Sequence, residues 1–509
     1  MKNMKKGRLV CVALIAAALV VTCLIGIGKW TADAAYNGEM ASSDPESILS
    51  KIPAYTHTGN LVNTFNADAS GWYYTQDSTE NTEANIDPLL EGKPIVDELG
   101  GGMILVYKQA DEAGYTAYRE DLEAVGYKFY NDNNLGGNLF ATYVTETEVV
   151  TLSYIPNNDN YLSILVEPMR DLPGLKEENV YENLNVPSSV TMMTCRFVGK
   201  SNGQCILIQL CDGSFIISDA GFGYGYHPEG KYPDYVNHYQ NQAKEIYDTM
   251  MTLLPAGQDK PVIAGWFFSH PHWDHMGGLI TFADLYADDV VVEKFILNHP
   301  DQDTIQKIWR DNQRINISYV RVMQDAIAKF DGAAMVEAHT GQTFYMRNAE
   351  IDILSTWELL AGYKSTGVSM TDANDGSVVL DVKLADERMI LFGDAQGSAV
   401  SLMGKMYDAT FLKSDFVQTA HHGYNNLSTL YQRIDADVAL WTATSPNSLD
   451  AHNACLADLD IYAHGNGLTY IPLPYSGDGT KEVWDGVSPI HGCDKVLYWD
   501  AVNPIYGRN

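Results

Sequence analysis

Ser269-His270-Pro271-His272-Trp273-Asp274-His275-Met276-Gly277-Gly278 decides how this chain is read, because it sets four metal-capable side chains within six residues. The run before it, Pro261 to Phe268 (PVIAGWFF), is apolar and rich in aromatic and β-branched residues, the composition of a buried strand. The cluster therefore falls where a core strand ends and the chain turns. Histidines two residues apart can point at one ion, and an adjacent Asp and His can reach a second. Imidazole with carboxylate suits zinc, manganese or iron. Gly277 and Gly278 let the backbone pass close to such a site.

Working outward, four further stretches repeat the pattern of a polar group just past an apolar strand. Ser214–Ser218 ends in Asp219-Ala220-Gly221, Asn374-Asp375-Gly376-Ser377 enters a strand, Met389–Phe392 ends in Gly393-Asp394, and Phe416–Ala420 ends in His421-His422-Gly423. Sites assemble at such edges because strand ends are rigid and the loops beyond them are exposed. Asp394 suits a bridging role, since a carboxylate has two oxygens to share between two cations. One of His421 and His422 is expected to complete the second metal, and the other to hydrogen-bond substrate. Asp219 is expected behind the ligands, orienting a histidine.

In this order, Asp219, His-x-His-x-Asp-His, Asn-Asp-x-Ser, Gly-Asp and His-His-Gly resemble the metallo-β-lactamase superfamily. Within it they are most similar to the ComEC-type branch and the secreted phosphorylcholine esterases, over roughly residues 190–475. The resemblance implies an αββα sandwich, two divalent metal ions (zinc first, manganese or iron as alternatives) and hydrolysis of a phosphoester by a metal-bridging hydroxide. His270, His272 and Asp394 would hold one metal. Asp274, His275, Asp394 and His421 or His422 would hold the other. Asn374 joins Asp274, His421 and His422 as an expected catalytic residue. Trp273, Tyr224, Tyr226 and Tyr424 are expected walls of the substrate pocket. Two departures stand out. Asn374 and Asp375 occupy the place, 20 residues before Asp394, where many members carry a third histidine, and Tyr424 replaces a frequent Ser. His299 and His339 are the spare histidines.

The rest of the chain bounds this reading. Its 509 residues are 46% hydrophobic, enough for two or three domains with a large core, and its formal net charge is −32. Such a surface gives no basic stripe to follow a phosphate backbone. Lys2, Lys5, Lys6 and Arg8 precede the apolar run Leu9 to Gly28, and Ala32-Asp33-Ala34 follows with a signal-peptidase pattern. Residues 1–35 are thus expected to be an export leader or, uncleaved, an anchor through residues 9–28, placing the remainder outside the cytoplasm. Small molecules or cell-wall polymers are then the reachable substrates, and the membrane is met only through this segment.

Residues 36–100 read as a polar lead-in. Residues 101–175 read as a small α+β accessory domain, with a strand at Met103–Tyr107, a helix at Thr116–Val125 and hairpin strands to Glu167. Residues 189–505 read as the hydrolase domain. Alternating strands and helices from about Ser189 make the expected fold class α/β in the broad sense, and the resemblance implies a four-layer α+β sandwich there, preceded by the small α+β unit. A strand at Met192–Val198 and a helical stretch near Ile305–Phe330 belong to it. Seven cysteines, two of them in the leader, are too few for a disulfide scaffold, and Cys205 and Cys211, flanking a strand, are a candidate pair. Two other functions remain open: lactone, ester or thioester hydrolysis at the same site, and a non-catalytic surface binding protein using residues 36–170.

Overall fold

A computed structural model describes residues 48–66, 102–176, 185–222, 234–299, 323–360, 373–442, 454–463 and 468–477, apart from isolated positions, with short strands at 72–73, 94–95 and 483–484. The leader, Tyr224, Tyr226, Cys493 and most of the stretch near Ile305–Phe330 lie outside the described residues. Among the described residues, no helix is long and apolar enough to cross a membrane.

Two eight-stranded sheets form the centre. Alternation along their strands decides the layers, because successive side chains point to opposite faces. In the first sheet Ile206, Ile208, Ile216, Ala264 and Phe267 face inward. Leu207, Phe215, Ile217, Ile263 and Trp266 face outward, beneath helices Asp234–Leu253 and Trp273–Tyr286. In the second sheet Val382, Leu391, Phe416, Val438 and Leu440 face inward against the first. Ile390, Val417, Ala439 and Trp441 face outward, beneath helices Gly397–Met406 and Ser428–Ile434. The result is a four-layer αββα sandwich. Its strands are apolar on both faces, as strands covered on both sides must be.

Strand Val262–Phe267 runs parallel to Phe215–Ser218 and to Lys294–Leu297 in the first sheet. Glu387–Leu391, Phe416–Gln418 and Val438–Trp441 run parallel in the second. Asp219, Ser269, Gly393-Asp394, Thr419 and Thr442 all lie just past the C-terminal ends of these strands, along one edge of the sandwich.

The accessory unit is a six-stranded antiparallel sheet with one helix. The helix is Glu112–Ala124, four residues earlier than expected, because the Asp111 side chain caps it by accepting from Gly114 N at 2.6 Å. The lead-in is not all linker, since Asn60–Asn66 pairs with Met103–Lys108 as an edge strand of this sheet. Lys128–Leu135 (KFYNDNNL) forms the opposite edge; its polar composition hides it from a hydrophobic-pattern reading. One face of the sheet packs its own helix through Tyr107, Val150, Leu152, Ile164, Tyr115, Tyr118 and Leu122. The other face carries Ile104, Val106, Phe140, Ile155 and Leu165 into the core that holds Leu402, Met403 and Met406 of the sandwich.

Two local expectations change. The strand read at Met192–Val198 is Ser189–Met192, followed by the short pair Arg196–Phe197 and Lys200–Ser201. Cys205 and Cys211 are both free, because they bracket the strand Ile206–Gln209. A strand rises about 3.3 Å per residue, so their Cα atoms stand roughly 20 Å apart, beyond the reach of a disulfide.

Candidate metal centre

The motif does not stay a loop. His272 is the N-cap of helix Trp273–Tyr286, with φ −93° and ψ 152°, so Asp274 falls in its first turn, where the helix dipole favours a carboxylate. Gly277 and Gly278 lie inside this helix. A Cβ on Gly278 would come within 2.1 Å of Ala220 O, so the glycine lets the helix press against the Asp219-Ala220-Gly221 turn. The close approach expected of the glycines is thus to that turn.

Asp219, wholly buried with φ 59°, joins the pieces. Its Oδ1 accepts from Ser269 N at 2.8 Å, and its Oδ2 accepts from Ser269 Oγ and Gln204 Nε2, each at 2.9 Å. Asp219 Oδ2 also lies 2.8 Å from His275 Nδ1, which leaves Nε2 of that ring facing the centre. His270 Nδ1 is 3.0 Å from Ser269 Oγ and 3.4 Å from Ser377 Oγ. The His270 ring is 4.6 Å from the His272 ring and 4.2 Å from the His275 ring.

Asp394 follows Gly393, whose φ is 55° and whose Cβ position would be 2.5 Å from Ser269 Cβ, so only glycine fits there. The two oxygens of Asp394 face different donors. Oδ1 is 3.1 Å from His275 Nε2 and 3.7 Å from His422 Nε2. Oδ2 is 3.8 Å from His270 Nε2 and 3.7 Å from His421 Nε2. His421 and His422 both adopt left-handed backbone, φ 51° and 55°, a conformation costly for a side chain with a Cβ. It sends the two rings apart. His422 is buried, with Nδ1 2.9 Å from Thr442 O and Nε2 3.2 Å from Asp274 Oδ2. The His421 side chain is 31% exposed at the rim. Of the two histidines, His422 thus joins the donor atoms around Asp274, and His421 faces solvent.

Two donor sets result: Asp274, His275, Asp394 and His422, and His270, His272 and Asp394, the donor atoms of each within 4.8 Å of one another. His270 Nε2, His275 Nε2 and Asp394 Oδ1 are buried without a hydrogen bond of proper geometry, the His275–Asp394 approach included. Buried polar atoms seldom stay unsatisfied, and a cation in each set would satisfy these. Burial by itself would raise Asp394, but His275 and His422 hold its carboxyl well below the usual range. Burial likewise favours the neutral Asp274, yet His422 keeps it lowered. Burial, then His275 and His272, push His270 well below its ordinary value. Against the pull of burial, Asp394 and Asp219 raise His275, and Asp394 and Asp274 raise His422. Ionised carboxylates among imidazoles in a buried cleft are a donor set that fits divalent cations.

The remaining expected residues fall differently. Asn374 is buried in the 3-10 turn Ala373–Gly376, and Ser377, just past that turn, reaches the metal loop, its Oγ lying 3.4 Å from His270 Nδ1 and accepting from Asp394 N at 3.2 Å. Trp273, expected as a pocket wall, is 4% exposed and packs edge-on against Tyr239 in the outer core, because the first helical turn points it away from the cleft. Tyr424 is 49% exposed, its ring 5.8 Å from His421. His339 lies in a separate cluster with Glu167 and Glu358. Sequence reasoning missed Gln418. Its Oε1 accepts from Phe392 N at 2.7 Å and its Nε2 donates to Gly393 O at 3.1 Å, fixing the Asp394 turn. A glutamine closing an apolar strand (FVQ) was the available signal.

No protein-family model matches the chain, and no curated protein matches it. Solved structures do. One is CmlA, a diiron β-hydroxylase from Streptomyces venezuelae, at 10% identity and TM-score 0.27; the match covers 56% of this chain and 47% of that one. The metallo-β-lactamase fold protein YhfI from Bacillus subtilis matches at 9% identity and TM-score 0.29, over 50% of this chain and 86% of that one. Unliganded yeast PDE1 matches at 12% identity and TM-score 0.27, over 50% of this chain and 88% of that one. This chain thus spans about half of CmlA. Likenesses this distant assign neither substrate nor residue roles. Layer order and the placement of the motifs along one strand edge define the architecture. The chain folds as a four-layer αββα sandwich.

Proposed function

We propose that the chain is an exported metal-dependent hydrolase that cleaves phosphoesters, phosphodiesters first, with two divalent cations held by the residues above. The observation that carries this reading is the division of Asp394, whose Oδ1 faces His275 and His422 while Oδ2 faces His270 and His421. When bound, the cations supply Lewis acidity and a water acidic enough to attack near neutral pH. The protein residues do the rest. His270 and His272 hold one ion, and Asp274, His275 and His422 hold the other. Asp219 and Ser269 keep the imidazoles aimed. His421, at the rim, is placed to donate a hydrogen bond to a phosphoryl oxygen, and Tyr424 borders the opening. No protein nucleophile is required.

The order of the motifs favours the ComEC-type branch, and the N-terminal segment favours cell-wall or extracellular polymers as substrates. Zinc is the first choice of metal, from two carboxylates among imidazoles. The test is metal content together with turnover of bis-nitrophenyl phosphate and of a lactone, for wild type and Asp394→Ala. About two metals per chain and phosphodiester turnover that the variant loses support the reading. Lactone turnover alone transfers the chemistry to esters. Neither metal nor turnover under metal-replete conditions moves the function to binding.

A further inference from the structure

A second cluster of charged side chains lies where the accessory sheet meets the sandwich. Glu167 comes from strand Tyr161–Pro168 of the accessory sheet, and Glu337 and His339 come from the end of strand Ala334–Glu337 in the first sandwich sheet. Their side chains are 1%, 6% and 4% exposed, so water does not solvate them. One donor atom from each lies within 4.8 Å of the others. His339 Nε2 is 3.0 Å from Glu167 Oε2, a spacing two ligands of one cation adopt. Neither oxygen of Glu167 makes a hydrogen bond of proper geometry, although Arg170 Nη2 stands 3.4 Å from Oε1.

The surroundings hold the imidazole as a ligand is held. Glu358 Oε1 lies 2.8 Å from His339 Nδ1 and accepts from Asn298 Nδ2 at 2.6 Å. Glu358 Oε2 accepts from Thr356 Oγ1 at 2.7 Å. A carboxylate on Nδ1 turns Nε2 outward, as behind His275 in the candidate metal centre. Glu167 and Glu337 share one guanidinium, that of Arg170, while Glu358 pairs with His339 on its Nδ1 side. Without an ion, protons meet this excess of carboxylates: Glu358 and Glu167 raise His339 against the pull of burial, and burial raises Glu337. A divalent cation between the three side chains would displace those protons and balance the carboxylates instead.

We propose that Glu167, Glu337 and His339 form a third metal site, taking a divalent transition-metal ion such as zinc or manganese, that ties the accessory unit to the sandwich. Two carboxylates and one imidazole suit those ions. Because its ligands come from two parts of the chain, the ion would couple the docking of the accessory sheet to metal binding. This site is independent of the hydrolytic reading. The competing arrangement is a protonated His339 clamped between Glu167 and Glu358 with no ion.

Crystals of the full chain soaked in Mn2+ distinguish the two by anomalous scattering. A peak between Glu167, Glu337 and His339 is expected, besides those at Asp394. Elemental analysis should find one equivalent more than the Asp394 centre holds, and Glu167→Gln, which keeps size and shape, should lose that one equivalent. No anomalous peak at the seam, whatever the occupancy around Asp394, overturns the site and leaves the ion-pair clamp. A peak at the seam with none at Asp394 keeps this site and sinks the hydrolase instead.

Discussion

The half of the candidate metal centre around His275 offers four donors and the half around His270 offers three, and they differ as much in what stands behind them. His275 is backed by the Asp219 carboxylate at 2.8 Å, and His422 by Thr442 O at 2.9 Å. Asp274 is fixed in the first turn of a helix. The His270 ring has only hydroxyls on its Nδ1 side, Ser269 at 3.0 Å and Ser377 at 3.4 Å, and His272 is half-buried at a helix cap. A charged partner behind a ligand raises its basicity and locks its ring, and a hydroxyl does less of both. The four-donor half should therefore bind its ion more tightly, and the three-donor half should exchange its ion more readily.

The largest test of this comparison is Asp394→Ala. Among the described residues Asp394 is the one donor that both sets share, so metal content should fall by both equivalents and phosphodiester turnover should drop to background; one retained equivalent would show that the halves are independent. Next, His272→Ala and His422→Ala should part company. The first should leave one tightly held ion, whereas the second should leave an ion that a mild chelator removes, as read by elemental analysis after dialysis. Equal losses in the two variants would contradict the difference in binding strength. Asp219→Asn keeps the shape but removes the charge behind His275. Affinity for the ion there should weaken about 10–100-fold, with a smaller change at His270. The smallest effect belongs to Ser377→Ala, whose 3.4 Å contact with His270 is long for a hydrogen bond. Less than about a tenfold loss at the three-donor half is expected.

The accessory sheet shows why part of the molecule resists reading from residues alone. Its strands Met103–Lys108, Asn138–Val144, Glu148–Ile155 and Tyr161–Pro168 are visible as apolar runs. Its two edges are not, since Asn60–Asn66 and Lys128–Leu135 are polar segments whose place comes from pairing with a neighbour. Nor does composition say that this sheet shares a core with the sandwich. Leu135, Phe140 and Leu165 look alike whether they meet solvent, their own helix or Met406.

Local sequence determined the strand-end position of Asp219, His270, Asp394 and the His421-His422 pair, because apolar runs and the short His-x-His-x-Asp-His spacing act within a few residues. The four-layer sandwich and the two donor sets were what the resemblance carried by those motifs implied. Tertiary structure alone decided the assignments that depend on direction and distance in the chain. His422 rather than His421 meets Asp274, 148 residues away, because the left-handed backbone at both histidines turns one ring inward and one toward solvent. Trp273 enters the core rather than the cleft because a helix begins at that residue. His339, a stray histidine in the sequence, finds Glu167 only when the accessory sheet docks. Such contacts depend on where whole elements pack, which no window of neighbouring residues contains.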